Sequence, residues 1–323
     1  MSGDPSAGER PVRTLFLGSG DFAVPVLRAL ARAPETLLVG VITSPPRPAG
    51  RSGELHPTPV AQAAAALGVP VHVPARLRDP ATLAELAALA PGLLVLADYG
   101  RIVPQALLDL PAHGALNLHP SLLPRHRGAT PIPAAILAGD GQTGVTLMRM
   151  DAGIDTGPIV ATVRVPLTGT ERAPALEAAL AETAGELLRA SLPAWLAGTL
   201  PAVPQAAAGA SLTRPLRRED ARLDPARGAA ALARQVRAYD PWPGAWTEHA
   251  GARLIVHAAH ARPGSAPAGV GVRDGALVLA TADGLLVLEE VQPAGKRRMP
   301  AADYVRGLRP AVDRPGAGTS DRG

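Results

Sequence analysis

The sequence contains no cysteine among its 323 residues. Disulfide bonds and thiolate metal sites are therefore excluded, and the absence is consistent with a reducing compartment. Aromatic residues make up only 2% of the chain, so Ala, Leu and Val must fill the core that the 47% of hydrophobic residues can form. Lysine is also scarce, because Lys296 is the only lysine among the 32 basic residues.

Long apolar runs are missing as well. No stretch approaches the roughly 18 consecutive apolar residues that a membrane span requires. The apolar run that precedes Gly18 is too short for the core of a secretory signal peptide. The sequence therefore predicts a cytoplasmic protein that does not enter a membrane.

The charge is distributed unevenly along the chain. Residues 1–200 hold 15 Arg against 16 Asp and Glu, a net charge of −1, whereas residues 201–323 hold 17 Arg and Lys against 12 acids, a net charge of +5. A basic second half can meet a polyanion, or it can simply be a well-solvated surface. Charge alone leaves both interpretations open.

The first half of the chain alternates short apolar runs with helical patterns. Runs such as "VRTLFLG" and "LLVLA" are typical of buried strands, and "DFAVPVLRALAR" has the apolar spacing of a helix. This alternation predicts an α/β fold with a mostly parallel sheet that helices cover on both faces. The predicted strands are 12–18, 37–43, 69–73, 93–97, 115–119 and 145–151, and the predicted helices are 21–32, 60–67, 79–90 and 173–197.

The second half has a different organisation. Residues 198–214 show no period and are predicted to be a linker, after a first domain over 12–197. A helix over 229–240 and four short strand-like runs follow, and their spacing predicts a small β-barrel domain over 215–310. Residues 1–11 are expected to be flexible, and residues 311–323 disordered.

One motif resembles a nucleotide-binding turn but lacks a necessary partner. "GSGDFA" (18–23) follows a predicted strand and precedes a predicted helix, as the turn of a dinucleotide-binding fold does. Such a fold needs an acidic residue after the second strand to hold the ribose, and this strand ends in Thr43-Ser44-Pro45-Pro46. A nicotinamide oxidoreductase is therefore disfavoured.

The chemistry is concentrated in "GALNLHPSLLPRHRGATPI", residues 114–132. Asn117 and His119 are two positions apart on a predicted strand, so their side chains lie on one face. Downstream, "MDAGIDTGP" places Asp155 in a glycine-containing loop that can return to the strand end. An amide donor and an imidazole can stabilise a developing oxyanion, and a carboxylate can move a proton, so the set suits acyl transfer. No Ser, Cys or Lys is placed as a covalent nucleophile, which favours direct transfer between two bound substrates.

Together with their neighbours these residues form a recognisable series. "NLHPSLLPRHRGATPI", followed by "GDGQTGVTLMRMDAGIDTGPIV", resembles the signature of the tetrahydrofolate-dependent formyltransferases, and the resemblance extends over about 12–308 to "YDPWPGAW" and "QPAGKRRM". It implies a Rossmann-like formyltransferase domain followed by a small C-terminal OB-like β-barrel. Within the family the pattern is that of members which formylate initiator methionyl-tRNA with 10-formyltetrahydrofolate. It implies no metal, and we expect a monomer.

The resemblance also assigns residues. The catalytic trio of the family falls on Asn117, His119 and Asp155, and Asp98 stands where the family usually has Ala. The contacts to folate fall on Tyr99, Gly100, Ser121, Leu122, Leu123 and Pro124.

The expected tRNA contacts lie in two places. The loop 44–60 resembles the insertion by which the family reaches the acceptor end of tRNA, and it carries Arg47 and Arg51 at the basic positions. Where the family continues with lysines, this chain reads Ser52-Gly53-Glu54. In the second half, a basic turn supplies the remaining contacts, Lys296, Arg297 and Arg298.

Two alternatives remain open at this stage. A formyltransferase could act on another acceptor, glycinamide ribonucleotide or an amino sugar nucleotide, but the basic second domain argues against the first and the 44–60 loop against both. A folate- or tRNA-binding module without catalysis is disfavoured by the intact trio. Trp242 and Trp246 are predicted to be core residues rather than platforms for base stacking.

Overall fold

A computed structural model of the chain describes residues 10–49 and 54–308. The chain divides into two compact units, Met1–Pro215 and Leu216–Gly323. Arg51 and the outermost residues of both termini lie outside the described residues, so the structure does not test the predictions made for them.

The first unit is built on a seven-stranded sheet. Its strand order is β10-β9-β7-β6-β1-β2-β5; the strands from β7 to β5 are parallel, while β9 and β10 run antiparallel to their neighbours. The prediction of a mostly parallel sheet is thus confirmed. The strands of the unit, including two short pairs outside this sheet, are β1 (Val12–Gly18), β2 (Thr36–Ile42), β3 (Arg47–Ala49), β4 (Glu54–His56), β5 (Val71–His72), β6 (Leu93–Ala97), β7 (Ala115–His119), β8 (Arg127–Gly128), β9 (Gln142–Arg149), β10 (Ile159–Pro166) and β11 (Leu212–Thr213).

The central strands are apolar on both faces, because helices cover the sheet on both sides. Every residue of β6 is buried, and Leu15, Phe16 and Leu17 of β1 are fully buried. The helices are α1 (Ala23–Ala31), α2 (Pro59–Ala66), α3 (Pro80–Ala88), α4 (Gln105–Leu108), α5 (Pro131–Ala138) and α6 (Ala173–Leu196). Gly185 lets α6 approach α1 closely, because a Cβ there would lie 3.0 Å from the Pro25 carbonyl oxygen.

Helix starts in this unit follow local sequence signals. Thr58 accepts a hydrogen bond from the Ala61 N–H at the start of α2, and Asp79 accepts one from the Ala81 N–H at the start of α3. In both helices the first residue is proline, whose missing N–H costs nothing at that position. Capping by Thr58 also anchors the end of the 44–60 loop, since its hydroxyl lies 2.6 Å from that of Thr43.

The second unit is an antiparallel sheet against which a helix packs. Its strand order is β12-β13-β16-β15-β14, with β17 paired to β16, and this arrangement agrees with the OB-like prediction. Leu232 and Val236 of the helix pack with Leu254, Leu286 and other apolar residues of the sheet. The elements are a 3₁₀ helix (Arg218–Ala221), α7 (Ala229–Ala238), β12 (Trp246–His249), β13 (Ala252–Arg262), β14 (Val270–Arg273), β15 (Ala276–Ala280), β16 (Leu285–Pro293), β17 (Met299–Pro300) and α8 (Ala301–Leu308).

The structure corrects the expectation for one tryptophan. Trp242 was predicted to be a core residue, but its side chain is 53% exposed, so that prediction is wrong. Trp246 is half-buried, and the guanidinium of Arg253 lies 4.6 Å from the centre of its ring. Among the described residues, no helix has the length and apolar character needed to cross a membrane.

Candidate active site

Asn117 and His119 lie at the carboxyl end of β7, between β6 and β9 in the sheet. Leu116 and Leu118 alternate with them and are buried in the core on the other face of the strand. Asn117 is half-buried and His119 is 5% exposed. The strand therefore holds an amide and an imidazole in fixed positions on one face, as the alternation predicts.

Asp155 lies in the loop that connects β9 with β10, and this loop folds back over β7. One carboxylate oxygen, Oδ1, accepts a hydrogen bond of 3.4 Å from Asn117 Nδ2, and the other, Oδ2, lies 3.6 Å from His119 Nδ1. Oδ2 also accepts a hydrogen bond of 2.7 Å from the Gly128 N–H. The structure thus brings the three predicted catalytic side chains together.

The orientation of the His119 ring is set by a backbone carbonyl. Nε2 lies 2.9 Å from the His126 carbonyl oxygen, and since a carbonyl only accepts, Nε2 carries the proton of this bond. The Nδ1 atom is therefore the one that faces Asp155. His126 is itself fixed, because its N–H donates to Ser211 Oγ at 2.8 Å and its Nε2 donates to Asp140 Oδ2 at 2.7 Å.

Two backbone conformations at this site are unusual for residues other than glycine. Asp155 has φ +51° and His126 has φ +56°, both in the left-handed region. Such conformations persist only where the surroundings hold them, and they concentrate at functional sites. Gly128 has φ +95°, and a Cβ at this position would also lie 2.3 Å from the Thr213 carbonyl oxygen, so glycine is required there.

The predicted folate loop runs from the end of β7 and is fixed by hydroxyl groups. Ser121 is fully buried, and its Oγ donates to the Arg125 carbonyl at 2.7 Å. Thr146 on β9 donates to the Ser121 carbonyl at 2.7 Å and accepts from the Leu123 N–H at 3.2 Å. Leu123 is 8% exposed, while Leu122 and Pro124 are half-buried.

A cavity of about 260 Å³ opens beside this loop. None of the three predicted catalytic residues lines it. Its lining combines the apolar residues of the loop with charged and polar groups: Leu122, Leu123, Pro124, Arg125, His126, Asp140, Gln142, Thr143, Arg164, Ala208 and Gly209.

The turn after β6 places the next two predicted residues differently. Tyr99 is 4% exposed and packs in the core cluster with Leu15 and Leu107, and its carbonyl accepts a hydrogen bond from Ser19 Oγ at 3.2 Å. Gly100 is exposed and has φ +72°.

Asp98, which precedes Tyr99, lies against the glycine turn of "GSGDFA". A Cβ at Gly20 would lie 1.9 Å from Asp98 Oδ2, so the carboxylate occupies the turn where a dinucleotide phosphate would bind. Desolvation by the surrounding protein, with the negative charges of Glu177 and Asp21, raises the pKa of Asp98 to about 6. This carboxylate reinforces the argument against a dinucleotide.

The predicted tRNA-contacting residues are spread over both units. Arg47 lies on β3, which forms an antiparallel pair with β4 within the 44–60 loop. Lys296, Arg297 and Arg298 are exposed in the turn that follows β16. Arg298 forms a bidentate ion pair with Glu290, in which both N···O distances are 2.5 Å. This pairing raises the pKa of the Arg298 guanidinium.

Several residues of the site carried no signal in the sequence. Gln205, Ser211 and Thr213 belong to the segment that was predicted to be a linker, yet they bond to the loops that carry His126 and Asp155. These contacts join positions about fifty to ninety residues apart along the chain, and such pairs have no local periodicity. No cluster of three or more His, Asp or Glu side chains in residues 10–49 and 54–308 is arranged to hold a metal ion.

Comparison with known families gives matches to both units. The family described as Formyl transferase matches residues 12–192, and the family described as Formyl transferase, C-terminal domain, matches residues 215–309. Together the two matches cover almost all of the described chain.

Similar curated proteins share one name. The methionyl-tRNA formyltransferase of Roseiflexus sp. (strain RS-1) is 47% identical over 304 residues, which cover 93% of this chain and 93% of the relative. A methionyl-tRNA formyltransferase of Thermus thermophilus is 45% identical over 300 residues, which cover 92% of this chain and 96% of the relative.

Solved structures share the fold at low sequence identity. The N-formyltransferase from Helicobacter canadensis, crystallised with folinic acid and dTDP-3-aminofucose, has a TM-score of 0.65 and 16% identity, over 87% of this chain and 99% of that one. HypX from Aquifex aeolicus in complex with tetrahydrofolic acid has a TM-score of 0.59 and 20% identity, over 91% of this chain. The match spans only about half of HypX, 47% of its length. The chain therefore belongs to the formyl transferase family and, within it, to the group of the methionyl-tRNA formyltransferases.

Proposed function

We propose that this chain transfers the formyl group of 10-formyltetrahydrofolate to the free amino group of methionine on initiator methionyl-tRNA, giving N-formylmethionyl-tRNA. The observation that carries the proposal is the joint position of Asn117, His119 and Asp155 at the end of β7. The curated relatives of this chain, which are about 45% identical to it over more than nine-tenths of their length, are named for this reaction.

The donor supplies a formyl group bound to N10 of the folate. The methionine amine attacks the formyl carbon, so that a new C–N bond forms before the bond to N10 breaks and N10 leaves with a proton. Asn117 stabilises the negative charge that develops on the formyl oxygen. One N–H of its amide points to Asp155, and the second N–H of the same group can donate to that oxygen.

His119 is proposed to hold the Asp155 carboxylate beside the reacting carbon. Its Nε2–H is engaged by the His126 carbonyl, so the ring cannot rotate away and Nδ1 stays directed toward Asp155. The separation of 3.6 Å between Nδ1 and Asp155 Oδ2 is longer than a hydrogen bond. Catalytic hydrogen bonds are often long without substrates and shorten when substrates bind.

Asp155 takes the proton from the attacking amine. Its carboxylate is held by the Gly128 N–H and by Asn117, and it can pass the proton, directly or through water, to N10 as that nitrogen leaves. Atoms and charges balance without a metal ion or a covalent intermediate on the protein.

Two segments are proposed to contact the folate. The loop Ser121, Leu122, Leu123 and Pro124 offers apolar side chains and a fixed backbone, since buried hydroxyls hold it on both sides. In the turn after β6, the exposed Gly100 is proposed to approach the ligand, and the buried Tyr99 is proposed to form the wall of the site beside it.

The second unit, proposed as residues 215–310, contributes the contact to RNA. Among the described residues, Lys296 and Arg297 form no ion pair, so their charges are available to phosphates. The loop 44–60 is proposed to reach the acceptor end of tRNA through Arg47 and Arg51. Translation initiation places such an enzyme in the cytoplasm, and a monomer suffices because all three catalytic side chains come from one chain.

A transfer assay with three acceptors tests the function. Purified protein is incubated with 10-formyltetrahydrofolate and, in separate reactions, methionine-charged initiator tRNA, glycinamide ribonucleotide or an amino sugar nucleotide. We expect formylmethionine on the tRNA and no product in the other two reactions. Formylation of a small acceptor with the tRNA unchanged would contradict the proposed acceptor and the roles of the 44–60 loop and the second unit.

A further inference from the structure

The amide of Gln205 joins two loops of the candidate active site. Its Nε2 donates to the carbonyl oxygens of Asp155 at 2.8 Å and Gly157 at 2.7 Å. Its Oε1 accepts from Arg127, with N···O distances of 3.0 Å to Nε and 2.7 Å to Nη2. Both donors and both acceptor sites of the amide are thus used, and the partners fix which side is nitrogen and which is oxygen.

On the first side Gln205 holds the backbone that carries the catalytic carboxylate. Asp155 has φ +51°, a conformation that an aspartate keeps only when its surroundings hold it. The carbonyls of Asp155 and Gly157 are turned toward one NH₂ group, which fixes the peptide units that follow these two residues. The nearby pairing of Ile159 with Val203 secures the same loop a few residues on.

On the second side Gln205 reaches the loop that completes the environment of the carboxylate. Arg127 belongs to β8, which pairs in parallel with β11, and its neighbour Gly128 donates its N–H to Asp155 Oδ2 at 2.7 Å. Residues 203–213 therefore contact both the backbone of Asp155 and the loop whose Gly128 N–H donates to the Asp155 carboxylate.

We propose that Gln205 is a positioning residue for Asp155, so that the segment leading to the second unit is part of the catalytic apparatus. This inference rests on the proposed function, because that function assigns Asp155 its catalytic role. Gln205 does not touch the reacting atoms, and its effect is to keep the carboxylate within reach of His119 and Asn117. Misplacement of a catalytic group by about 1 Å can cost on the order of 100-fold in rate.

Two substitutions separate positioning from simple attachment of the segment. Gln205→Met keeps the length of the side chain and removes all four hydrogen bonds. Gln205→Glu keeps the acceptor for Arg127 but directs a carboxylate oxygen at two carbonyl oxygens, so it retains the attachment and repels the Asp155 loop. We expect both to lower kcat for formylation by about 10- to 100-fold, with the KM for each substrate within about 3-fold of wild type.

The chain offers a matched control in its second unit. Gln235 is 1% exposed, donates to the carbonyls of Asp220 and Arg222 at 3.1 and 3.0 Å, and accepts from Arg227 Nη1 at 2.7 Å. Gln235→Met removes a similar set of bonds far from Asp155 in sequence. We expect it to lower the melting temperature while leaving kcat within about 3-fold of wild type.

A second readout does not depend on activity. Hydrogen exchange of the Gly128 amide reports directly on the Asp155 carboxylate that accepts from it, and we expect faster exchange in both Gln205 variants and no change in Gln235→Met. A Gln205→Glu variant with normal kcat would overturn the proposal, as would unchanged exchange at Gly128. If the wild type proves to formylate another acceptor, the same variants are assayed with that acceptor, so that failure of the proposed function and failure of the positioning role remain distinguishable.

Discussion

The polar side chains at the end of β7 are fixed by neighbouring groups of the protein, whereas the turn after β16 carries exposed cations. His119 is 5% exposed, and each of its ring nitrogens faces an oxygen atom of a fixed loop. Lys296 and Arg297 are exposed, and neither forms an ion pair within the described part of the chain. Fixed donors stabilise charge that develops at one point, whereas exposed cations suit an extended polyanion. Chemistry and RNA binding should therefore respond to different substitutions.

The largest expected effect is that of Asp155→Asn. The amide cannot take a proton from the attacking amine, so kcat should fall on the order of 10³–10⁴-fold, the upper part of the range for general acid–base groups. The dissociation constant for a stable folate analogue, measured by calorimetry, should stay within about 2-fold. Loss of folate binding instead would mean that Asp155 is a ligand-binding residue.

The second-largest loss of kcat is expected for Asn117→Ala. Removal of a fixed oxyanion donor costs on the order of 10²–10³ in kcat, with KM values close to those of wild type. Single-turnover formylation measures this directly, and Asn117→Asp, which keeps the shape but loses the donor, serves as the control. A loss below about fivefold in the alanine variant would exclude the role assigned to the amide.

Lys296→Ala combined with Arg297→Ala should leave kcat unchanged and raise the KM for charged tRNA. Each lost phosphate contact should reduce the slope of log(kcat/KM) against log[salt] by about 0.7–0.9. Arg298→Ala is the comparison, because its guanidinium is already bound to Glu290, and its slope should change less. Equal slopes in the double variant and the wild type would mean that this turn does not contact the RNA.

The smallest effect concerns stability near Asp98. Since the folded-state pKa of this group is raised to about 6 from 3.8, its favourable contribution is complete below pH 3.8 and is lost as the pH rises through 6. Asp98→Asn should therefore melt at a higher temperature than wild type at pH 7.5, with the difference shrinking toward pH 4. Because Asp98 is exposed on one side and solvent screens its charge, we expect about 1 kcal/mol, or roughly 2–4 °C. A difference independent of pH would contradict this assignment.

The regular part of the fold could be predicted from the sequence. The observed bounds of β1, β6 and β7 equal the predicted ones, because each is an apolar run with clear ends. Among the elements that were missed are β10, an edge strand without clear alternation, and α5, whose two prolines suggest a loop. Trp242 was misassigned because its sequence pattern alone does not give its exposure.

The site could be predicted only in part. Asn117 and His119 follow from strand alternation, while Asp155 followed from the family resemblance and the flexibility of its loop. Gln205 and Ser211 could not be found, because hydrogen bonds between a segment without periodicity and distant loops leave no local pattern. Local order is encoded in neighbours along the chain, whereas the supports of the catalytic groups come from the tertiary fold.

The most direct test of the separation between chemistry and RNA binding is a salt titration of formylation. The values of kcat and kcat/KM for methionine-charged initiator tRNA would be measured between about 50 and 200 mM salt in the wild type, in Asn117→Ala and in the Lys296→Ala, Arg297→Ala double variant. We predict that Asn117→Ala keeps the wild-type slope at a much lower kcat, and that the double variant keeps the wild-type kcat at a shallower slope. A changed slope in Asn117→Ala, or a reduced kcat in the double variant, would contradict the division.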